Sequence, residues 1–442
     1  MEVAWFVALV SAICLEGLGR RYLPFIPSGA FYFLKDAVLL LGYFLFRPSG
    51  EVGRLVTYLY RGFAIFFVIS IGWTVAEVFN PSQASLSLGI IGLRSYWLWW
   101  FAPPVVASAL SRPKLRERAI YVLVALSLGI AGLAAMQFAS PADSSLNMYS
   151  VWNGEEVYSA DTAVVQSTGR ARVSSTFAFP SGFSAFAILV PTLLLSLALD
   201  SKSPRLRTAA LVGTLVTAAV VPMAGSRSSV VEGVAVLFIT MWASGLFFTR
   251  VGRRVLLGSV VAAFVATAAF PDALLGVQSR FDNADETAGR FMDLAAILPP
   301  VALATYDYPA IGIGTGMEQN ARVSFGVDSP WDVEAENGRY LMELGPMGYF
   351  VVWMSKLGIM VALVRGYRIL KLAGRRGSAG AALSYAALTM FGTLTFDHNW
   401  QALFFLGCGF ILAEVLAARQ SMAAVAAPAQ QALGRPALAT AA

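Results

Sequence analysis

One histidine and two cysteines are all that 442 residues offer toward a His/Cys metal site, and both cysteines, Cys14 and Cys408, lie inside apolar runs. A thiol in such a run packs as a small hydrophobe, so neither a disulfide framework nor a zinc site is expected, and no metal or cofactor with them. Charge is scarce too: Asp, Glu, Lys and Arg make up 13% of the chain, against 57% hydrophobic residues. That polar complement is too small to coat a soluble globule of this size, so a bilayer has to serve as solvent. No Lys or Arg precedes the first apolar stretch, Val3 to Leu15, which argues against a cleaved signal peptide and for a retained first helix. The net charge of +6 does not point to nucleic acid, because the basic residues fall in short clusters between apolar runs.

Those runs are long enough to cross a membrane. A crossing takes about 20 mostly apolar residues, since the hydrocarbon core is roughly 30 Å thick and a helix rises about 1.5 Å per residue. The pattern predicts an all-α, polytopic integral membrane protein with about 12 transmembrane helices, near residues 3–17, 23–47, 60–79, 87–110, 119–138, 181–199, 207–224, 229–249, 255–271, 346–367, 379–396 and 401–418. Cations decide orientation, because loops rich in Lys and Arg stay cytoplasmic. Arg47, Arg54 and Arg61; Arg112, Lys114, Arg116 and Arg118; Lys202, Arg205 and Arg207; Arg250, Arg253 and Arg254; and Arg365, Arg368, Lys371, Arg375 and Arg376 all fall in alternate loops. Both termini are therefore expected in the cytoplasm, and the two long loops, about 139–180 and 272–345, outside it. Residues 1–420 form one transmembrane domain in this reading, and 421–442, mostly Ala, Pro and Gln, a disordered tail. No internal repeat is visible, which disfavours transporters built from inverted repeats.

On the outer side several arginines stand in apolar or small surroundings. Arg227 occupies the short turn Ala224-Gly225-Ser226-Arg227-Ser228-Ser229 between two apolar helices. A charge there needs a polar cavity, a ligand or an acid, unless it snorkels to the interface. Arg94 enters the fourth helix from the same side and could equally anchor the aromatic run Trp97 to Phe101. Arg170 and Arg172 precede Val173 to Gly182, where Ser, Pro and Gly suit a tight return to the membrane. In the second long loop, Arg280 and Arg290 come before an amphipathic stretch, Phe291 to Thr305, and then the run Pro309 to Gly316. That glycine-rich run lacks the strand-turn-helix setting of a dinucleotide site and the ending of a P-loop, so it reads as backbone in close approach to a ligand or a neighbouring helix. Glu336, Arg339 and Glu343 share a helix face if helical, a spacing that equally suits a network among themselves. His398, in Phe396-Asp397-His398-Asn399-Trp400, is as readily a hydrogen-bonded turn residue as a catalyst. Lys35 and Asp36 are adjacent, point to different helix faces and each need a partner.

Guanidinium forks hold phosphate in bidentate fashion, so the ensemble suits an anionic diphosphate at the membrane interface, with a carboxylate to take a proton from an attacking hydroxyl. In this respect the chain resembles the bacterial O-antigen ligase and polymerase superfamily. The resemblance is carried by Gly225-Ser226-Arg227 opening a helix, Arg172 through Phe177, Arg290 followed by Pro309 and Gly312-Ile313-Gly314, and Glu336-Asn337 with Tyr340-Leu341, Glu343, Gly345 and Gly348. It implies a membrane glycosyltransferase architecture of the GT-C kind in a bacterial inner membrane. It also implies a periplasmic active site acting on an undecaprenyl-diphosphate-linked glycan. Membrane lipid and other polysaccharide-assembly proteins are the implied partners, nucleic acid is not. Arg227 and Arg290, helped by Arg172, would hold the diphosphate, and Glu336 would act as base. Arg94, Arg280, Arg339, Tyr340 and His398 would contact substrate. The ligase branch places a histidine before the Asn where Glu336 stands here, and the spacing to the glycines is shorter. That departure favours polymerase chemistry for O-antigen, capsule or exopolysaccharide over transfer onto lipid A core. A protein O-glycosyltransferase is the alternative within the superfamily. A flippase or other transporter is the alternative outside it, kept open by Lys35, Asp36, Glu77, Glu232 and Lys356 within the spans.

Overall fold

Apolar segments withdrawn from water must satisfy their backbone N–H and C=O groups internally, and this chain does so almost wholly with helices. The computed structural model describes residues 1–23, 25–48, 50–147, 151–152, 155–156, 164–165, 168–247, 249–282, 295–328, 333 and 335–432. Among them the only strands are two antiparallel ladders, Val151–Trp152 with Glu155–Glu156 and Val164–Val165 with Arg170–Ala171.

Among the described residues six helices are long and apolar enough to cross a membrane: Ser28–Leu45, Pro113–Ala139, Pro180–Asp200, Pro204–Ala224, Glu336–Leu372 and His398–Val425. Two bent pairs raise the number to eight, Glu2–Cys14 with Glu16–Tyr22 at 63° and Gly50–Leu59 with Ala64–Val78 at 93°. The remaining expected segments fall on helices that are shorter or less apolar: Leu86–Trp97 continued by Ala102–Ala109, Arg227–Ala243, Arg250–Ala269 and Arg376–Phe391. The molecule is thus an all-helical, multi-pass membrane protein. Its last helix runs on to Ala432, into the stretch expected to be a disordered tail, because alanine favours helix even without packing.

Pro180–Asp200 and His398–Val425 bury 94% of their apolar windows and form the centre of the bundle, whereas Ser28–Leu45 buries 22% and lies at its edge. Leu41, Phe44, Ile65, Val68, Phe238 and Trp242 point outward from helices, as lipid-facing side chains do. The segments carrying the basic clusters meet one another. Arg116 Nε lies 2.8 Å from Glu414, which also pairs with Arg375. Arg365 donates to the carbonyls of Leu59 (2.7 Å) and Arg61 (2.9 Å), and Asp200 accepts from the N–H groups of Gly377 and Ser378. The segments expected outside meet as well: Leu18 N–H donates to Thr176 (3.2 Å), Val173 N–H to Met223 (3.1 Å) and Asn80 to Gly312 (2.6 Å).

Glu336–Leu372 is two helices joined at Gly345, whose φ of 65° breaks the helix just before Pro346. The break leaves the carbonyls before it without helical partners, and donors from other segments take their place. Ile313 N–H donates to Met342 (2.9 Å), Gly314 N–H to Glu343 (3.1 Å) and Trp73 Nε1 to Leu344 (3.0 Å). The glycine-rich run is therefore backbone packed on a helix end, one of the two readings its sequence allowed. The bend is sharp: twenty residues of straight helix span about 30 Å, yet Glu336 and Lys356 are 2.6 Å apart.

The return to the membrane at 173–182 is as tight as its composition suggests. Ser175 has a φ of 50° and is fully buried. Gln137 accepts from its N–H (2.7 Å) and its hydroxyl donates to Ile130 (2.7 Å), contacts that hold a conformation unfavourable to a side chain.

A Cβ on Gly312 would lie 1.9 Å from the Glu343 carbonyl oxygen, whereas one on Gly29 would meet nothing within 4 Å. Gly312→Ala is therefore expected to lower stability by about 1–3 kcal/mol, read as a fall in the detergent unfolding midpoint, with Gly29→Ala unchanged or slightly raised. Equal midpoints for the two variants would show that the loop does not close on the helix end.

Candidate functional site

Thr395 to Gln401, the turn that leads into His398–Ala432, bonds directly to Lys35 and Glu336, and through them to further charges on the expected outer side. Asp397 stops the chain from entering the helix disordered: its Oδ1 accepts from the N–H groups of Asn399 (3.0 Å) and Trp400 (2.9 Å). With that end fixed, the neighbouring side chains fan out to three flanks.

The first flank is ionic. Asn399 accepts from Lys35 Nζ (2.8 Å), and Lys35 also meets Glu16 (2.6 Å), which pairs with Arg20. Asp36 pairs instead with Arg94 and accepts from Trp99 Nε1 (3.2 Å). The two adjacent charges thus have separate partners, as their opposite faces require. Arg94 lies over the ring of Tyr32, 4.4 Å from its centroid, and His398 Nε2 is 3.2 Å from the Ser95 hydroxyl.

The second flank holds the bent helix. Glu336 spends one oxygen on Lys356 (2.6 Å) and the other on Thr395 N–H (2.7 Å). The Tyr340 hydroxyl is 2.7 Å from that of Thr395, and the Arg339 guanidinium lies 5.4 Å from the Phe396 ring centroid. Glu343, fully buried, accepts from the Tyr96 hydroxyl (2.9 Å) and Glu318 N–H (2.7 Å).

The third flank is a hollow of about 500 Å³, its open mouth included, lined by Arg172, Ser181, Ser184, Ser226, Ser228, Ser229, Glu232, Thr393, Asp397 and Trp400 among others. The Arg172 strand and the Arg227 turn lie side by side here, since Arg172 Nε donates to Ala224 (3.4 Å) and Val173 N–H to Met223. Arg227 opens Arg227–Ala243 behind the Ser226 cap and is buried.

The residues singled out from the sequence therefore divide. Arg172 lines the hollow, and Arg227 sits in the turn whose serines border it without itself lining it; Glu336, Arg339, Tyr340 and His398 gather on the other flanks of the same turn. Arg94 is held by Asp36 within the bundle, so it neither lines the hollow nor serves chiefly as an anchor for the aromatic run. Arg290 lies outside the described residues, as does the start of the expected amphipathic stretch, of which Pro299–Thr305 is helical. Arg280 falls on the helix Pro271–Asp282. Two acids in the hollow had drawn little notice in the sequence. Asp397 was overshadowed by its neighbour His398, and Glu232 read only as a charge inside a span. Its signal was there: apart from Arg227 it is the only charged residue of Arg227–Ala243. The chain matches no protein-family model, and no curated protein is similar to it.

Arg94→Met leaves Asp36 buried without its cation, a loss expected to cost about 3–5 kcal/mol, while Arg94→Met with Asp36→Leu is expected to recover most of it. Unfolding midpoints of the single and double variants check this; a harmless single variant would mean the pair is not the fold's own.

Proposed function

We propose that the chain is a bacterial inner-membrane glycosyltransferase that moves a polyprenyl-diphosphate-linked oligosaccharide onto a sugar hydroxyl at the periplasmic face. Its product is O-antigen, capsule or exopolysaccharide, and polymerase chemistry is favoured over ligation. In this reading the chain crosses the membrane twelve times with both termini in the cytoplasm, so that its basic clusters face inward. One observation carries the reading: Arg172 lines a serine-rich hollow beside the Arg227 turn, together with the carboxylates of Glu232 and Asp397, among segments expected outside.

The chemistry follows from those groups. A guanidinium fork at the hollow holds the diphosphate and offsets the negative charge that grows as the sugar–phosphate bond breaks. The serine hydroxyls offer the donors and acceptors that sugar hydroxyls need, and an adjacent carboxylate takes the acceptor proton. The outward apolar surfaces of the helices suit the polyprenyl tail. The buried charges that would favour a transporter are largely matched internally, Lys35 with Glu16, Asp36 with Arg94 and Lys356 with Glu336.

Deleting the gene in its host should abolish long surface glycan while single repeat units remain, seen on a gel. Unattached polymer would instead indicate a ligase, loss of glycan from protein an O-glycosyltransferase, and lipid-linked precursor held inside the cell a flippase. Arg227→Lys retains the charge but not the fork, and a lost charged hydrogen bond of about 1.5–3 kcal/mol corresponds to roughly a ten- to hundredfold lower rate. Full complementation by that variant would rule out bidentate grip at Arg227.

A further inference from the structure

The hollow contains two carboxylates in different conditions, and a third stands at the same turn. Glu336 has both oxygens engaged, one by the Lys356 ammonium and one by Thr395 N–H. Asp397 has one oxygen engaged as the cap of its own helix. Glu232 lines the hollow and meets no hydrogen-bond donor and no cation among the described residues. It is half-buried, on a helix whose other side chains, Arg227 apart, are uncharged.

A proton acceptor must reach the hydroxyl it deprotonates and have a lone pair to offer. Glu336 meets neither condition well, because its oxygens are directed to Lys356 and to the backbone. Glu232 meets both. A carboxylate set in an apolar helix without a partner among the described residues is costly to maintain, and its place in a polar hollow that Arg172 also lines gives that cost a use.

We propose that Glu232, not Glu336, is the general base of the transfer reaction. The assignment rests on the glycosyltransferase reading above. The acceptor is a sugar hydroxyl seated among Ser181, Ser184, Ser226, Ser228 and Ser229. Its proton passes to a Glu232 carboxylate oxygen as its oxygen forms the new bond to the anomeric carbon. The bond from that carbon to the phosphate oxygen breaks, its electron pair leaving with the polyprenyl diphosphate beside Arg172. Attack and departure on opposite faces invert the anomeric centre. Glu336 keeps a structural task, tying the bent helix to the turn.

The test compares full-length wild type, Glu232→Gln and Glu336→Gln, each returned to the deletion host. Three quantities are measured: protein level in the membrane, long surface glycan, and binding of undecaprenyl diphosphate to the purified protein in lipid nanodiscs. For Glu232→Gln we expect wild-type protein level, unchanged binding and glycan synthesis lower by about 10²–10⁴-fold, with Glu336→Gln retaining the greater part of its synthesis. Long glycan from Glu232→Gln would overturn the base assignment and leave the enzyme reading intact. So would loss of binding or of protein in that variant, which would make Glu232 a binding or folding residue, and so would loss of glycan with binding intact in Glu336→Gln alone. A deletion host with unaltered surface glycan would overturn the enzyme reading and the base assignment together.

Discussion

A charge placed where water is excluded persists only if an opposite charge or several donors meet it, and this requirement governs how the helices of this chain come together. Its focus is the short turn from Thr395 to Gln401. Asn399 receives Lys35, Thr395 receives Glu336, His398 meets Ser95, and Asp397 fixes the helix end from which all of them project. Lys35 then draws in Glu16, and Glu336 draws in Lys356. Helices far apart in sequence are thereby registered against one turn, with greater specificity than apolar contact alone provides, since any apolar face packs acceptably on lipid.

Hydropathy made the helical segments legible, because a bilayer imposes one length on every apolar run. Adjacent Lys35 and Asp36 also announced that two partners existed, though not which. The partners themselves were out of reach: Lys35 and Asn399 are 364 positions apart, and only the assembled bundle brings them within 2.8 Å. Local breaks were only partly visible. Gly345 and Pro346 mark one plainly, whereas the bend at Leu15 between Glu2–Cys14 and Glu16–Tyr22 has neither glycine nor proline at the joint. Arg94 shows the limit of reading an arginine by its surroundings. An apolar setting signals that a guanidinium has a task, and Asp36 shows the task to be internal. Arg172, chosen by the same reasoning, lines a hollow, and the turn that holds Arg227 borders it.

The two ends of the bundle solve the same electrostatic problem differently. Around Glu414 and Arg365 the cations are matched by a shared acid and by backbone carbonyls. At the opposite end, serine and arginine line an opening in which one acid, Glu232, has no partner among the described residues. The first arrangement locks segments together, whereas the second leaves polar groups turned to an open space.

The ion pair between Glu336 and Lys356 joins two arms of a folded helix as a drawstring closes a purse. The outer arm carries Arg339 and Tyr340, the inner arm is embedded, and Gly345 is the crease between them. The same carboxylate is also fastened to the Thr395 N–H, two residues before Asp397 at the rim of the hollow. One acid thus knots three segments, both arms of the doubled-back helix and the turn, so that the helix and the hollow share a single anchor point.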